Sequence, residues 1–388
     1  ALRETTKTPS AALLFLTRIP TLPANSALLR AFWWSLFEAF EGHTTLGAVA
    51  RQYRFCTLTA LERNWYARNS IGLRAWVLAA EIALVLTQTM LALGLINAEK
   101  SFYLYSPLSL LGSIAGGIMF GLGIALVGTC GFGALVRIGG GSLQSLVVTV
   151  TIGLVALSTQ RGLLGIAREQ FIEPMAIDLS SSGNQSLPAL LSNLSGIPIY
   201  WPTVAACALV LLVWIFKEHQ FRTSRAGIIS GSLIGICVAL GWLCTSQLGD
   251  YLYRPVQVES ASFVLPPGQL VQVFTLGNSE IADYGVGLIV GVILGSLIVA
   301  LRQHDARWEA CDDARELRRH LGGAFLMGSG GVLAAGCTIG QGVSALSVLA
   351  ISAPVVFLSM LLGARIGLSW LLEGSPFGWL RGLGKTND

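Results

Sequence analysis

Gly116-Gly117-Ile118-Met119-Phe120-Gly121-Leu122-Gly123, running on to Gly128-Thr129-Cys130-Gly131-Phe132-Gly133, has a counterpart further down the chain. That counterpart is Gly322-Gly323-Ala324-Phe325-Leu326-Met327-Gly328-Ser329-Gly330, running on to Gly336-Cys337-Thr338-Ile339-Gly340. Setting Cys130 on Cys337 superimposes Gly116 on Gly323, Gly121 on Gly328, Gly123 on Gly330 and Gly133 on Gly340. Each copy resumes with a serine–leucine pattern, Ser142-Leu143-Gln144-Ser145-Leu146 and Ser344-Ala345-Leu346-Ser347-Val348. Internal likeness at this level marks a repeated structural unit. Small residues let two apolar helices approach closely, which accounts for Gly116 to Gly123. It does not account for a thiol at the same place in both copies with more glycine behind it.

The rest of the chain sets these copies in a bilayer. Of its 388 residues 53% are hydrophobic and only 12% charged, with a mean hydropathy of +0.66. A soluble domain carries about 25% charged residues, so too few charges are present to coat a water-facing surface. The 45 glycines show no G-X-Y period, which excludes collagen, and the low charge excludes a disordered tail protein. The net charge of +4 comes without a Lys/Arg block of nucleic-acid type. Seven cysteines, an odd number at irregular spacing, do not form a disulfide framework. The first thirty residues are not a clean signal peptide, since Arg18 and Pro20 interrupt the short apolar run Ala11–Leu16.

A crossing helix needs about 20 apolar residues, and on that measure about nine candidates stand out. They lie near 31–50, 71–96, 107–129, 142–163, 200–216, 226–248, 284–301, 321–336 and 343–366. Glu38, Glu41 and His43 interrupt the first, and the eighth is short and glycine-rich. Basic loops alternate with poor ones: Arg51, Arg54, Arg63, Arg68 and Arg74 follow the first span, while only Lys100 follows the second. Arg302, Arg307, Arg315, Arg318 and Arg319 follow the seventh, whereas 249–283 holds Arg254 against Asp250, Glu259, Glu280 and Asp283. Cytoplasmic loops carry the excess of Lys and Arg, which places the N-terminus outside and the C-terminus in the cytoplasm.

That orientation sends span three inward and span eight outward, so the two copies are inverted. Inverted, glycine-interrupted segments point to a transport site between them. The expectation is an all-α integral membrane protein, a single membrane domain over 1–388. It divides into a first repeat at about 31–163, a linking region at about 164–283 and a second repeat at about 284–372, with glycine-rich loops dipping to the membrane centre. The helix that follows each loop, starting near Ser142 or Val343, then aims its positive end at the gap, where it favours an anion.

Arg51-Gln52-Tyr53-Arg54-Phe55-Cys56-Thr57-Leu58 ends the first span. Together with the run Gly128 to Leu146 and the run Gly336 to Ser347, its Arg54-Phe55-Cys56 resembles the motifs of the YeeE/YedE family of sulfur transport proteins, with the thiosulfate uptake members the best match. The likeness covers about residues 30–372. It implies an hourglass-like helical fold of the inner membrane, with Cys56, Cys130 and Cys337 as functional thiols that hand a substrate inward by successive S–H···S contacts. Arg54, Gly131, Gly133, Gly336, Gly340 and Ser142 are then the supporting loop residues. The resemblance also implies a small cytoplasmic thiol-carrying acceptor protein. The polar first span and the long 164–199 segment depart from the family pattern.

The chemistry suits thiosulfate, a dianion with a soft terminal sulfur. A pathway needs sites weak enough to release, and a thiol is a weak donor. Free cysteine titrates near pH ~8.5, so protonated thiols, which do not repel the anion, are expected at neutral pH. Import against a negative interior is uphill by roughly 4.6 kcal/mol for two charges at 100 mV. No Walker A sequence is present, so a gradient, consumption inside or a co-transported cation has to supply the drive. Glu81, two turns inside span two, is a candidate proton carrier, with a structural bond to Gln88 as the alternative. Arg137 and Arg365 are topology arginines or anion attractors. Cys207, Cys237 and Cys244 read as packing thiols, and no cysteine has metal-ligand spacing with His43, His219, His304 or His320. No cofactor is expected. Two alternatives stay open: a carrier of another sulfur or selenium compound, and a membrane sulfurtransferase forming a cysteine persulfide. The latter needs an activated thiolate, and no His or Lys flanks these cysteines.

Overall fold

A computed structural model describes residues 42–97, 101–177, 185–197, 199–251, 257–276, 284–311 and 313–376. Glu38, Glu41, most of the first candidate span and the tail from 377 lie outside the described residues. The described residues are helical, with only isolated bridges and no strand. In chain order the main helices are α1 (42–52), α2 (Thr57–Tyr66), α3 (Ile71–Ala92), α4 (Leu110–Val127), α5 (Gly131–Gly139), α6 (Leu143–Arg161), α7 (Leu163–Phe171) and α8 (Leu187–Ser195). They continue as α9 (Tyr200–Phe216), α10 (Arg225–Tyr251), α11 (Pro266–Leu276), α12 (Tyr284–Arg302), α13 (Ala314–Leu333), α14 (338–347) and α15 (Ser352–Glu373).

Six helices among the described residues are long and apolar enough to cross a membrane, taking α4 and α5 together as Leu110–Gly139. They form a multi-pass membrane protein. Of the about nine candidates the first lies mostly outside the described residues, and the fifth and eighth are not among the six. α9 has 17 residues, short of a full crossing. The eighth span begins earlier than its apolar run, because α13 takes Arg315, Glu316, Arg318 and Arg319 into its first turns. The ninth is kept among the six as α15, which starts at Ser352, while the helix after Cys337 stops at 347.

α4 packs against both α15 and α13, and α13 packs in turn against α6. Glycine sets those approaches. A Cβ on Gly116 would stand 2.7 Å from Gly330 O, and one on Gly123 would stand 2.6 Å from Gly323 O. α3 lies across α10 and touches α2, α9 and α14, while α12 packs on α5.

The segment 258–265 is more deeply buried than a plain connecting loop. Charge counting reads 249–283 as a loop poor in basic residues, and within it Val258, Ser260, Ala261, Phe263 and Val264 are buried. From there α11 packs on α6 and α12. Extended backbone is tolerated at such depth only where protein satisfies its polar groups. Here the Ser344 hydroxyl donates to Ala261 O at 2.9 Å and that of Ser260 to Val238 O at 2.6 Å. The described residues of 164–199 carry most of α7, a short 3₁₀ turn and α8.

Candidate functional site: three thiols at three helix starts

Each cysteine of the three motifs stands at the start of a short helix. Cys56 is the N-cap of α2. Cys130 caps α5, its sulfur accepting the Gly133 N–H at 3.4 Å. Cys337 precedes α14, its sulfur accepting the Gly340 N–H at 3.2 Å. The first N–H groups of a helix have no intrahelical partner and carry the positive end of its dipole. In two of the three helices sulfur therefore satisfies one of those groups.

α5 and α14 leave their cysteines toward opposite ends of the molecule. The end of α5 meets the 303–309 stretch, where Arg307 N–H donates to Gly140 O at 3.0 Å. The start of α6 is held there too, by Leu143 N–H on Glu309 O at 2.8 Å. The end of α14 meets 185–187, where Leu187 N–H donates to Leu349 O at 2.8 Å. That stretch is tied to the start of α4 through Gln185 and Ser106, beyond the far end of α6. The two half-helices thus point their N-termini toward one another from opposite faces.

Threonines join the three helix starts. Cys56 Sγ lies 3.9 Å from Thr129 Oγ1, and Thr57 Oγ1 donates to Thr338 Oγ1 at 3.2 Å. A Cβ on Gly133 would clash with Thr129 Oγ1 and would stand 3.4 Å from Cys56 Sγ and 3.6 Å from Cys130 Sγ, so both thiols border this glycine. Glycine at 133 leaves room for the Thr129 hydroxyl. Phe263 supplies the fourth side: its carbonyl approaches Gly131, its ring packs on Phe132 at 4.9 Å, and its backbone meets the Cys337 side chain. Cys130 and Cys337 are 0% and 1% exposed, whereas Cys56 is half-buried. The centre is closed in this conformation.

The supporting residues divide. Gly131, Gly133 and Gly340 lie in helices, not in loops, because apolar surroundings favour a backbone that satisfies itself. Gly336 stays in the turn before Cys337, at φ +154°. Arg54 is exposed and shapes the α1–α2 turn with φ +52°. Ser142 caps α6 at 3.3 Å from Ser145 N, a whole α5 away from Cys130. The helices aimed at the centre start at the cysteines themselves, not near Ser142 or Val343.

Glu81 does not meet Gln88. Gln88 donates to Ser347 O and accepts from Tyr200 OH, both at 3.0 Å. Thr57, Thr129, Thr338 and Phe263 were not singled out by the sequence. The signal for the threonines is adjacency, since Cys56-Thr57, Thr129-Cys130 and Cys337-Thr338 each pair a hydroxyl with a thiol. On the face where α4 begins, a cavity of about 480 Å³ is lined by Tyr103, Ser109, Ser113, Arg168 and Ser352, among others. Tyr103 reaches from its wall to Gly340, where a Cβ would stand 3.1 Å from the phenol oxygen.

Residues 53–366 match the sulphur transport family. The chain is 26% identical over 352 residues to the thiosulfate transporter TsuA of Escherichia coli K12, covering 85% of this chain and 93% of that one. It is 26% identical over 345 residues to the thiosulfate transporter TsuA of Spirochaeta thermophila, covering 88% and 98% respectively.

Proposed function

The chain belongs to the sulphur transport family, and from that premise we propose that it is an inner-membrane permease importing thiosulfate, or a closely related inorganic sulfur anion, along Cys56, Cys130 and Cys337. The observation that carries this reading is the convergence of three thiol-bearing helix starts, two of them entering from opposite faces. Three dipole ends favour an anion without a fixed cation that would hold it. Weak S–H donors then pass the soft sulfur from one thiol to the next. Arg54 and the glycines Gly131, Gly133, Gly336 and Gly340 support this path, whereas Ser142 serves it only by anchoring α6.

The chain works as one membrane domain built on an inverted repeat. The contacts support that reading: Gly116 meets Gly330 and Gly123 meets Gly323. These exchange under the alignment of Cys130 on Cys337, as positions related by a two-fold axis do. The face holding Arg51, Arg307 and the start of α13 is cytoplasmic by its basic residues, and the cavity beside Arg168 is the outer vestibule. A thiol-carrying acceptor protein on the cytoplasmic side removes the product and so draws uptake inward.

The test is uptake of labelled thiosulfate into vesicles holding the purified protein, with unlabelled competitors. Excess thiosulfate suppresses uptake, while sulfate, which has no soft terminal sulfur, leaves it within about twofold, a difference under ~0.5 kcal/mol. Equal suppression by sulfate, or no uptake above empty vesicles, refutes the reading.

A further inference from the structure

Glu81 is 2% exposed near the midpoint of α3, ten residues from Ile71 and eleven from Ala92. At 1.5 Å per residue it lies about 15 Å from either end of the helix. Its Oε2 has no hydrogen-bond partner among the described residues. A carboxylate buried there without counter-charge is strongly disfavoured, so the packing accommodates the acid form. Ionisable residues inside membrane spans are rare, and they mark ion or proton pathways.

The neighbours do not supply a structural role. Gln88 is committed to Tyr200 and Ser347. Arg74, on the same helix, is held by the carbonyls of Trp214 and Ile215 and stacks on the Trp214 ring at 4.5 Å. From α9, Cys207 is the electrostatic neighbour of Glu81, and Tyr200 is on Gln88. α10 meets α3 through Gly231 and Gly235, with its thiols Cys237 and Cys244 beside Tyr284 instead, and α14 has no charged residue. Glu62 and Arg63 of α2, and Lys217, His219, Arg222 and Arg225 after α9, are exposed, while Glu218 pairs with Arg74 at 3.9 Å.

α3 also touches the thiol path on both sides of Glu81. Trp76 abuts Gly342 of α14 and stacks on Phe357 at 4.5 Å, and Gln88 donates to Ser347 O. A change of charge at Glu81 therefore acts on the helix that starts at Cys337.

We propose that Glu81 is a proton-binding site that couples proton entry to entry of the sulfur anion, an inference resting on the transport reading above. Glu81 takes a proton from the outer side in one conformation and releases it to the cytoplasmic side in the other. The accompanying positive charge offsets part of the dianion's opposition to the membrane potential.

The experiment uses full-length protein in vesicles and two readouts. Exchange of labelled against unlabelled thiosulfate at equal pH requires no net proton movement. Accumulation under an inside-alkaline gradient does, and each coupled proton multiplies it about tenfold per pH unit. Wild type is expected to exchange, to accumulate with the gradient and to lose accumulation with a protonophore. Glu81→Gln is expected to exchange within about twofold of wild type, under ~0.5 kcal/mol, and to lose the gradient response. Glu81→Asp is expected to keep it. Wild-type accumulation that ignores the gradient overturns the inference, as does an undiminished response in Glu81→Gln. If Glu81→Gln fails to insert, external alkalinisation on adding thiosulfate to wild type decides: its presence supports proton entry and its absence refutes it. Absence of exchange in wild type strikes the transport reading itself, and this inference with it.

Discussion

α5 leaves Cys130 as a regular nine-residue helix, and close approach to α12 holds its far end. A Cβ on Gly139 would stand 2.6 Å from Ile293 O, and Ser296 donates to Val136 O. α14 leaves Cys337 through a π-helical stretch, Gly340–Ala345, stitched by buried polar side chains. Gln341 donates to Ala334 O and Ala335 O at 2.9 and 3.0 Å. Ser347 donates to Ser344 O at 2.7 Å and accepts from Trp242 Nε1 at 3.0 Å. Under the repeat alignment, Gln341 and Ser347 fall on Ala134 and Gly140, which offer no such side chains. The two copies agree in a sulfur at the helix start and differ in what fixes the helix behind it. The sulfur is thus the shared requirement, and the scaffold is free to vary. π-helical turns often mark functional positions, which makes the second copy the more specialised half.

Gln341→Leu strikes the side that has no counterpart. It leaves two buried carbonyls short of a donor, and each such group costs about 1–3 kcal/mol. Thermal unfolding in detergent should report that loss. Gly123→Ala and Gly330→Ala strike the shared side. Each drives a Cβ against backbone, at 2.6 Å from Gly323 O and 2.7 Å from Gly116 O respectively. Both should destabilise by about 1–3 kcal/mol, with the two values close together; a large difference between them breaks the symmetry of the comparison. Asp305→Asn, at the α5 end, removes a pair with Arg51 at 3.1 Å in which Asp305 is 60% exposed. It should lower stability by less than about 1 kcal/mol, and less still in high salt.

Much of this arrangement was legible in the residues. The Gly116–Gly123 and Gly323–Gly330 patterns announced a close helix approach, and the aligned Cys130 and Cys337 both stand at helix starts. The half-helices were not legible, because Gly131, Gly133 and Gly340 carry poor helix propensity in water. Inside an apolar shell the alternative is an unsatisfied backbone, and helix wins. The segment 258–265 was hidden for another reason. Its flanks carry Asp250, Arg254 and Glu280, and charge counting across 249–283 averages a buried stretch with its surroundings. Glu81 was visible as a charge in an apolar span, but its lack of any bond to Gln88 required coordinates.

Cysteine replacement in the uptake assay tests the central claim most directly. Serine caps a helix well, so Cys130→Ser and Cys337→Ser keep the caps of α5 and α14 while removing the soft donor. Cys56→Ser removes a thiol that makes no side-chain cap, beside Thr129. All three proteins should insert, and each should lose uptake of labelled thiosulfate by about tenfold or more, the factor that ~1.4 kcal/mol represents. Uptake at the wild-type rate in Cys130→Ser and Cys337→Ser would contradict the account and leave those thiols as helix caps alone.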